Sequence, residues 1–250
     1  MPVTIKSASE IALMCEAGRL LEIVHGEIAK AIEPGVSTIA LVRLAEKLIR
    51  GFGCTPNFLN YNGFPATICA SINDEVVHGI PNKKKVLHEG DIISIDTGLI
   101  YQGYHSDAAR TYAVGEISKE ASQLIEVTKQ SFFEGMRYAK AGCHLFEISA
   151  AIGAYAASFG YGVVRDLVGH GIGTKMHEEP QIPNFAQKRR GLRLQAGMTL
   201  AIEPMINAGR ADVAWLDDDW TVVSDDGSLS AHYENTVLIT DGEPEILTLS

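Results

Sequence analysis

Ile92-Ile-Ser-Ile-Asp96-Thr-Gly-Leu-Ile-Tyr101-Gln102-Gly103-Tyr104-His105-Ser-Asp107-Ala-Ala-Arg-Thr-Tyr-Ala-Val114 is the stretch that decides the fold. Residues from Ile92 to Ile100 alternate and are rich in β-branched side chains, and Tyr101-Gln102-Gly103-Tyr104 supplies a turn, so 91–114 reads as an antiparallel hairpin. A turn centred between Tyr101 and Gln102 sets Asp96 directly opposite Asp107, about 4.5–5.5 Å apart at Cβ. Like charges facing each other on a sheet destabilise it unless a cation lies between them. The expected register itself therefore argues for a metal.

Outward from the hairpin, the pattern occurs twice. Leu87-x-x-Gly90 precedes Ile95-Asp96, and Leu194-x-x-Gly197 precedes Ile202-Glu203 at the same spacing. His105-x-Asp107 is matched by His232-x-Glu234, and Gly115-Glu116 by Gly242-Glu243. A duplicated unit with two carboxylates per copy builds one four-acid site between two halves, which suits a pair of divalent ions. The chain is expected to be a single catalytic domain over 1–250, with residues 60–118 and 160–247 carrying the two metal-binding halves.

Each acid could instead be a buried salt bridge to Lys or Arg. Asp96 follows Ile92-Ile93-Ser94-Ile95 and Glu203 follows Leu200-Ala201-Ile202, apolar settings in which charge is rarely buried without a partner. Matched pairs at corresponding positions make four unrelated salt bridges a poor account. Pro204 holds Glu203 in an extended conformation. His170, in Gly169-His170-Gly171-Ile172-Gly173, has small neighbours that let an imidazole project into a crowded site; the stretch lacks the Lys and spacing of a phosphate loop. Four carboxylates and one imidazole favour Mn, Fe(II), Co or Mg over a closed thiolate zinc site. Adjacent divalent ions can lower the pKa of a shared water toward about 7. His78 in His78-Gly-Ile-Pro81 and His177 in His177-Glu-Glu-Pro180 flank that site in matched settings, placed to donate to a scissile carbonyl and its developing oxyanion.

Composition bounds the rest. The chain has 250 residues, 46% apolar and 21% charged, an ordinary globular balance, and a net charge of −10 argues against nucleic-acid backbones and acidic membranes. Four scattered cysteines without a C-x-x-C pair suggest free thiols in a reducing compartment. The N-terminus lacks a signal-peptide pattern and no apolar stretch is long enough to span a bilayer, so a cytoplasmic location is expected. Ser7-x-x-Glu10 is a capping box opening a helix that stops before Pro34-Gly35. Further helices are expected near 37–51, 119–140 and 145–160, a loop at 61–63, and strands at 66–72, 163–168, 198–206 and 232–239. Strands and helices in runs make the fold class α+β.

Ser71-Ile-Asn-Asp-Glu-Val-Val-His78-Gly-Ile-Pro81, Gly169-His170-Gly-Ile-Gly173, His177-Glu-Glu-Pro180, Ile202-Glu203-Pro-Met-Ile-Asn207 and Leu229-Ser-Ala-His-Tyr-Glu234-Asn-Thr together resemble type I methionine aminopeptidases of the compact bacterial form, from about Ile5 to Leu249. The resemblance implies the pita-bread fold, two pseudo-twofold halves with antiparallel sheet clasping a dinuclear site. It implies Asp107 and Glu234 as bridging ligands, Asp96 on one ion, and His170 and Glu203 on the other. The implied reaction removes the initiator methionine from nascent polypeptides with a small second residue. Glu203 would shuttle the proton, and His78 and His177 would stabilise the intermediate.

Tyr61, Phe64, Cys69 and Trp220, with Met176 nearby, would form the methionine pocket; ordinary core packing is the competing account of these apolar groups. Asn62 and Met176 depart from the frequent His and Phe at the pocket rim. The resemblance also implies a monomer, with the ribosome as a partner at most. Of the rivals, an Xaa-Pro aminopeptidase or prolidase would carry a further histidine four residues before the metal histidine, where Asp166 stands. An inactive peptide-binding relative would have lost ligands, and all five are present. Pro2 is small, so removal of Met1 by the chain's own activity is expected.

Overall fold

The computed structural model describes residues 3–249. Met1 and Pro2, on which the expected self-processing falls, lie outside the described residues.

Ser7 caps the helix Ala8–Ala31 through the anticipated capping box, its hydroxyl accepting from the Glu10 amide while Glu10 returns to the Ser7 amide. The buried face of that helix (Leu20, Leu21, Val24, Ile28) and that of Thr38–Gly51 (Leu41, Ala45, Ile49) pack on Ile93, Ile95 and Leu99 of the strand Ile92–Tyr101. The helices Lys119–Met136 and Leu145–Ser158 do the same for the other half, with Phe132, Ile148 and Ile152 against Leu200, Ile202 and Val237. Each helix pair thus backs one end of a shared sheet and leaves the opposite face for the site.

That sheet runs in the order 55–56, 92–101, 104–113, 234–238, 199–202, 169–171, 178–182, with 68–72 paired on 92–101 and 245–246 on 234–238. The architecture is the antiparallel, α+β pita-bread arrangement. No helix among the described residues is long and apolar enough to cross a membrane.

The hairpin register differs from expectation by two residues. Gln102 and Gly103 alone form the turn, with φ of 48° and 87°, the doubly positive backbone of a two-residue type I′ turn. Tyr101 and Tyr104 are thereby drawn into the strands, Asp96 faces Ala109, and Asp107 faces Gly98. Because side chains repeat every two residues, a two-residue slip keeps both acids on one face but makes them diagonal neighbours. Direct opposition occurs in the other half. Asn235 pairs with Ile202 and His232 with Met205, so one unbroken register carries Glu203 opposite Glu234.

The expected strands 198–206 and 232–239 are each cut there, into 199–202 and 205–207, and into 230–232 and 234–238. Pro204 has no N–H for the ladder, so both chains bend together from the large sheet into a three-stranded one, bridged by the Tyr233 amide on the Pro204 carbonyl at 3.1 Å. Residues 163–168 form a strand only at Gly162–Val163, and the third and fourth helices end at Met136 and Ser158.

His25 pins the first helix to the hairpin. Its ring contacts the Ala108 carbonyl at 2.9 Å and the Tyr112 hydroxyl at 3.3 Å. Burial, then the Arg110 charge, depresses its pKa to about 3. The native state keeps this ring neutral while the unfolded chain protonates it near 6.5, so stability is lost as pH falls from 6.5 toward 3. Urea titrations at pH 7 and pH 5 should show wild type losing about 2 kcal/mol more than His25→Gln over that interval.

Candidate metal centre

The pairing sets one row across the sheet: Cys69, Asp96, Ala109 and Glu234, with Glu203 next at the bend. Asp107 lies one step along from Ala109 on the same face, and His170 enters from 169–171, where its partner is Ala201. Three strands from each half therefore deliver the site. Asp107 is held by reciprocal bonds across the junction: its amide donates to the Thr236 hydroxyl at 3.0 Å, and that hydroxyl donates to the Asp107 carbonyl at 2.9 Å. Asn184 donates to the Glu203 carbonyl at 2.9 Å. The glycines around His170 are required by close approach. A Cβ on Gly169 would come 2.4 Å from the Ala201 carbonyl oxygen, and one on Gly171 2.1 Å from that of Glu179.

The structure brings all five sequence-predicted ligands to one cavity of about 260 Å³. Donor atoms of Asp107, His170 and Glu234 lie within 4.8 Å of one another, as do those of Glu203, Glu234 and His232. Asp96, Asp107 and Glu234 each keep a buried carboxylate oxygen with no hydrogen-bond partner among the described residues. Burial comes first among the causes that push all four acids up, Asp107 to about 7; mutual repulsion adds for Asp96, Glu203 and Glu234. Arg110 offsets this only for Glu234, as the smallest of its causes, because the guanidinium donates to the carbonyls of Ala109, Glu234 and Thr248 and to the Asn235 side chain and to none of the four carboxylates. Buried, crowded, unpaired oxygen donors are what a divalent cation would satisfy. His170 fits that role, since Nδ1 donates to the Gly171 carbonyl at 2.9 Å and leaves the Nε2 lone pair facing the acids. Nε2 is 3.6 Å from Glu203 Oε1.

His78 and His177 line the same cavity. Burial depresses both, His78 to about 4 with the neighbouring His177 adding to it. His78 sits at φ 59°, a strained turn conformation for a non-glycine residue. The Tyr61 hydroxyl meets His177 Nδ1 at 2.7 Å. Burial and Asp107 push the phenol's pKa up, so it stays protonated and can donate, leaving His177 Nε2–H as a free donor.

Tyr61, Phe64, Cys69, Met176 and Trp220 line the same cavity, with Phe64 and Trp220 edge to face at 5.1 Å. Asn62, at φ 49°, is also in the lining. Several lining residues were not singled out in the sequence, among them Phe58, Val77, Leu167 and Met205. Met205 was reachable, because it lies two residues beyond Glu203. His232, which the sequence offers in the repeat and in the motif ending at Glu234, joins the acid cluster.

A cavity with an apolar side, clustered acids, imidazoles of depressed pKa and an oriented ligand histidine defines a metal-dependent hydrolase. The chain belongs to metallopeptidase family M24, whose description matches residues 12–241. Within that family it stands with the bacterial methionine aminopeptidases. It is 56% identical over 247 residues to methionine aminopeptidase of Clostridium acetobutylicum, covering 99% of each chain. Methionine aminopeptidase 1 of Bacillus subtilis is 49% identical, with 97% of this chain and 98% of that one covered. The crystal structure of methionine aminopeptidase from Thermotoga maritima matches with a TM-score of 0.97 at 42% identity, over 100% of both chains. An Xaa-Pro dipeptidase from Bacillus anthracis matches at 0.80 and 28% identity, over 98% of this chain but 62% of that one. Divalent metal is accordingly the cofactor, and the donor set fits it.

Proposed function

We propose that this chain hydrolyses the bond after an N-terminal methionine in nascent proteins and peptides. The observation that carries the reading is the continuity of pocket and acids: Cys69, in the apolar part of the lining, is the direct strand partner of Asp96. A thioether side chain seated among Tyr61, Phe64, Cys69 and Trp220 would leave its carbonyl against the acids and histidines.

Asp96, Asp107, His170, Glu203 and Glu234 would hold the divalent metal. Bound divalent metal supplies an activated water at neutral pH and polarises the carbonyl. Glu203 takes the proton of the attacking water and returns it to the departing amine. His177, held through Tyr61, donates to the carbonyl oxygen, and His78 donates to the developing oxyanion. The pocket excludes water from the methionine side chain and sets the register of cleavage.

The substrate's free amine and small second residue suit emerging chains, which favours a cytoplasmic monomer that meets them at the ribosome. The free Cys15, Cys54, Cys69 and Cys143 suit that reducing compartment. Xaa-Pro cleavage is the second reading, favoured only by the shared fold. Incubation with Met-Gly-Met and with Xaa-Pro dipeptides separates the two. Release of methionine from the tripeptide at least about 100-fold faster is expected, and preference for the Xaa-Pro substrates would reverse the assignment.

A further inference from the structure

The repeated pattern puts a histidine two residues before an acid in each half, and His232 has no part in the mechanism above. It ends the strand Ser230–His232, two residues before Glu234, so both side chains lie toward the same face. The ring is 1% exposed, and neither nitrogen has a hydrogen-bond partner among the described residues. A neutral imidazole buried this way is costly unless something completes it. Its Nε2 lies 3.8 Å from Glu203 Oε2, while His170 Nε2 lies 3.6 Å from Oε1 of the same carboxylate. Glu203 is thus flanked by an imidazole at each oxygen, with His170 on the ligand side.

We propose that His232 is a positioning residue for Glu203. When divalent metal is bound, its Nε2–H donates to Oε2, leaving Oε1 for the ligand side and the proton transfer. A ligating carboxylate needs its second oxygen hydrogen-bonded to stay in one orientation. Because Glu203 can only accept, the bond requires the Nε2–H tautomer of His232. The inference rests on the reading of Glu203 as ligand and proton carrier.

The test uses cobalt-loaded enzyme carrying His232→Leu or His232→Gln. Cobalt affinity is measured by calorimetry, the metal environment by visible absorption, and turnover on Met-Gly-Met. His232→Leu should lose about 10–100-fold in kcat and weaken cobalt binding by a similar factor. Its KM should stay within about twofold, because the lost interaction serves the reaction and not the methionine pocket. His232→Gln, which restores an N–H donor, should recover kcat to within about fivefold of wild type. The number of cobalt equivalents should be unchanged in both.

Wild-type affinity and turnover in His232→Leu would overturn the proposal, as would equal damage in Leu and Gln. Loss of a cobalt equivalent would also overturn it, by making His232 a ligand. If His232→Leu does not fold, His232→Asn, whose amide is too short to reach, takes its place against Gln. Failure of the underlying reading shows separately, as normal turnover in Glu203→Gln whatever the His232 variants do.

Discussion

Glu203→Gln is expected to fold like wild type and to lose at least about 10³-fold in kcat, near the upper range for removal of a general base. The glutamine keeps the shape of the side chain, and the backbone anchor from Asn184 to the residue 203 carbonyl is unaffected. It also removes one of four crowded acids, three of them buried, so the metal-free protein should be no less stable than wild type. What it loses is the carboxylate that accepts a proton and the anionic donor beside His170. The two losses can be told apart: a pure ligand defect is overcome by excess metal, whereas a missing proton carrier is not. Turnover of Met-Gly-Met at saturating metal, with circular dichroism to confirm the fold, decides it. Activity within tenfold of wild type under those conditions would remove Glu203 from the proton-transfer role.

The site was more legible in the sequence than the pairing that builds it. Asp96, Asp107, Glu203 and Glu234 stood out because a repeat and an apolar strand pattern are local signals. The hairpin register departs from the one the sequence predicts because Tyr101 and Tyr104 read as turn residues, while the φ-positive pair Gln102-Gly103 takes the turn alone. The shift leaves both acids on the expected face, since it is an even number of residues. The bend at Glu203-Pro204 was foreshadowed by the proline, but not the simultaneous break at Tyr233, which follows from pairing between segments about thirty residues apart in sequence. The position of Cys69 beside Asp96 is likewise a product of non-local pairing between 68–72 and 92–101. His232 shares the strand parity of Glu234. That signal was available, but a histidine beside a stronger motif is easily read as part of the repeat.

Stripping divalent metal should lower the urea midpoint of the protein strongly at pH 8 and only slightly at pH 5. All four acids have folded-state pKa values raised above those of the unfolded chain, Asp107 to about 7. A group shifted this way favours the folded state below its unfolded pKa near 4, and that advantage is lost as pH rises through the folded value. At pH 5 the metal-free cluster can remain largely protonated and the repulsion is small. At pH 8 the unfolded carboxylates are fully ionised, whereas the folded ones must either keep protons against the solvent or face one another charged. Metal reverses the sign, because it binds only the deprotonated set and therefore gains affinity as pH rises. Metal at about a hundred times its dissociation constant adds about 2.7 kcal/mol, equivalent for a chain of this size to roughly 5–10 °C in Tm. The stabilisation should therefore grow with pH across the 5–8 window, in the same sense as the His25 contribution, which weakens as pH falls below 6.5 but does so whether or not metal is present. An equal metal effect at pH 5 and pH 8 would mean that the four acids are already relieved within the protein, and that the unpaired oxygens of Asp96, Asp107 and Glu234 do not require a cation.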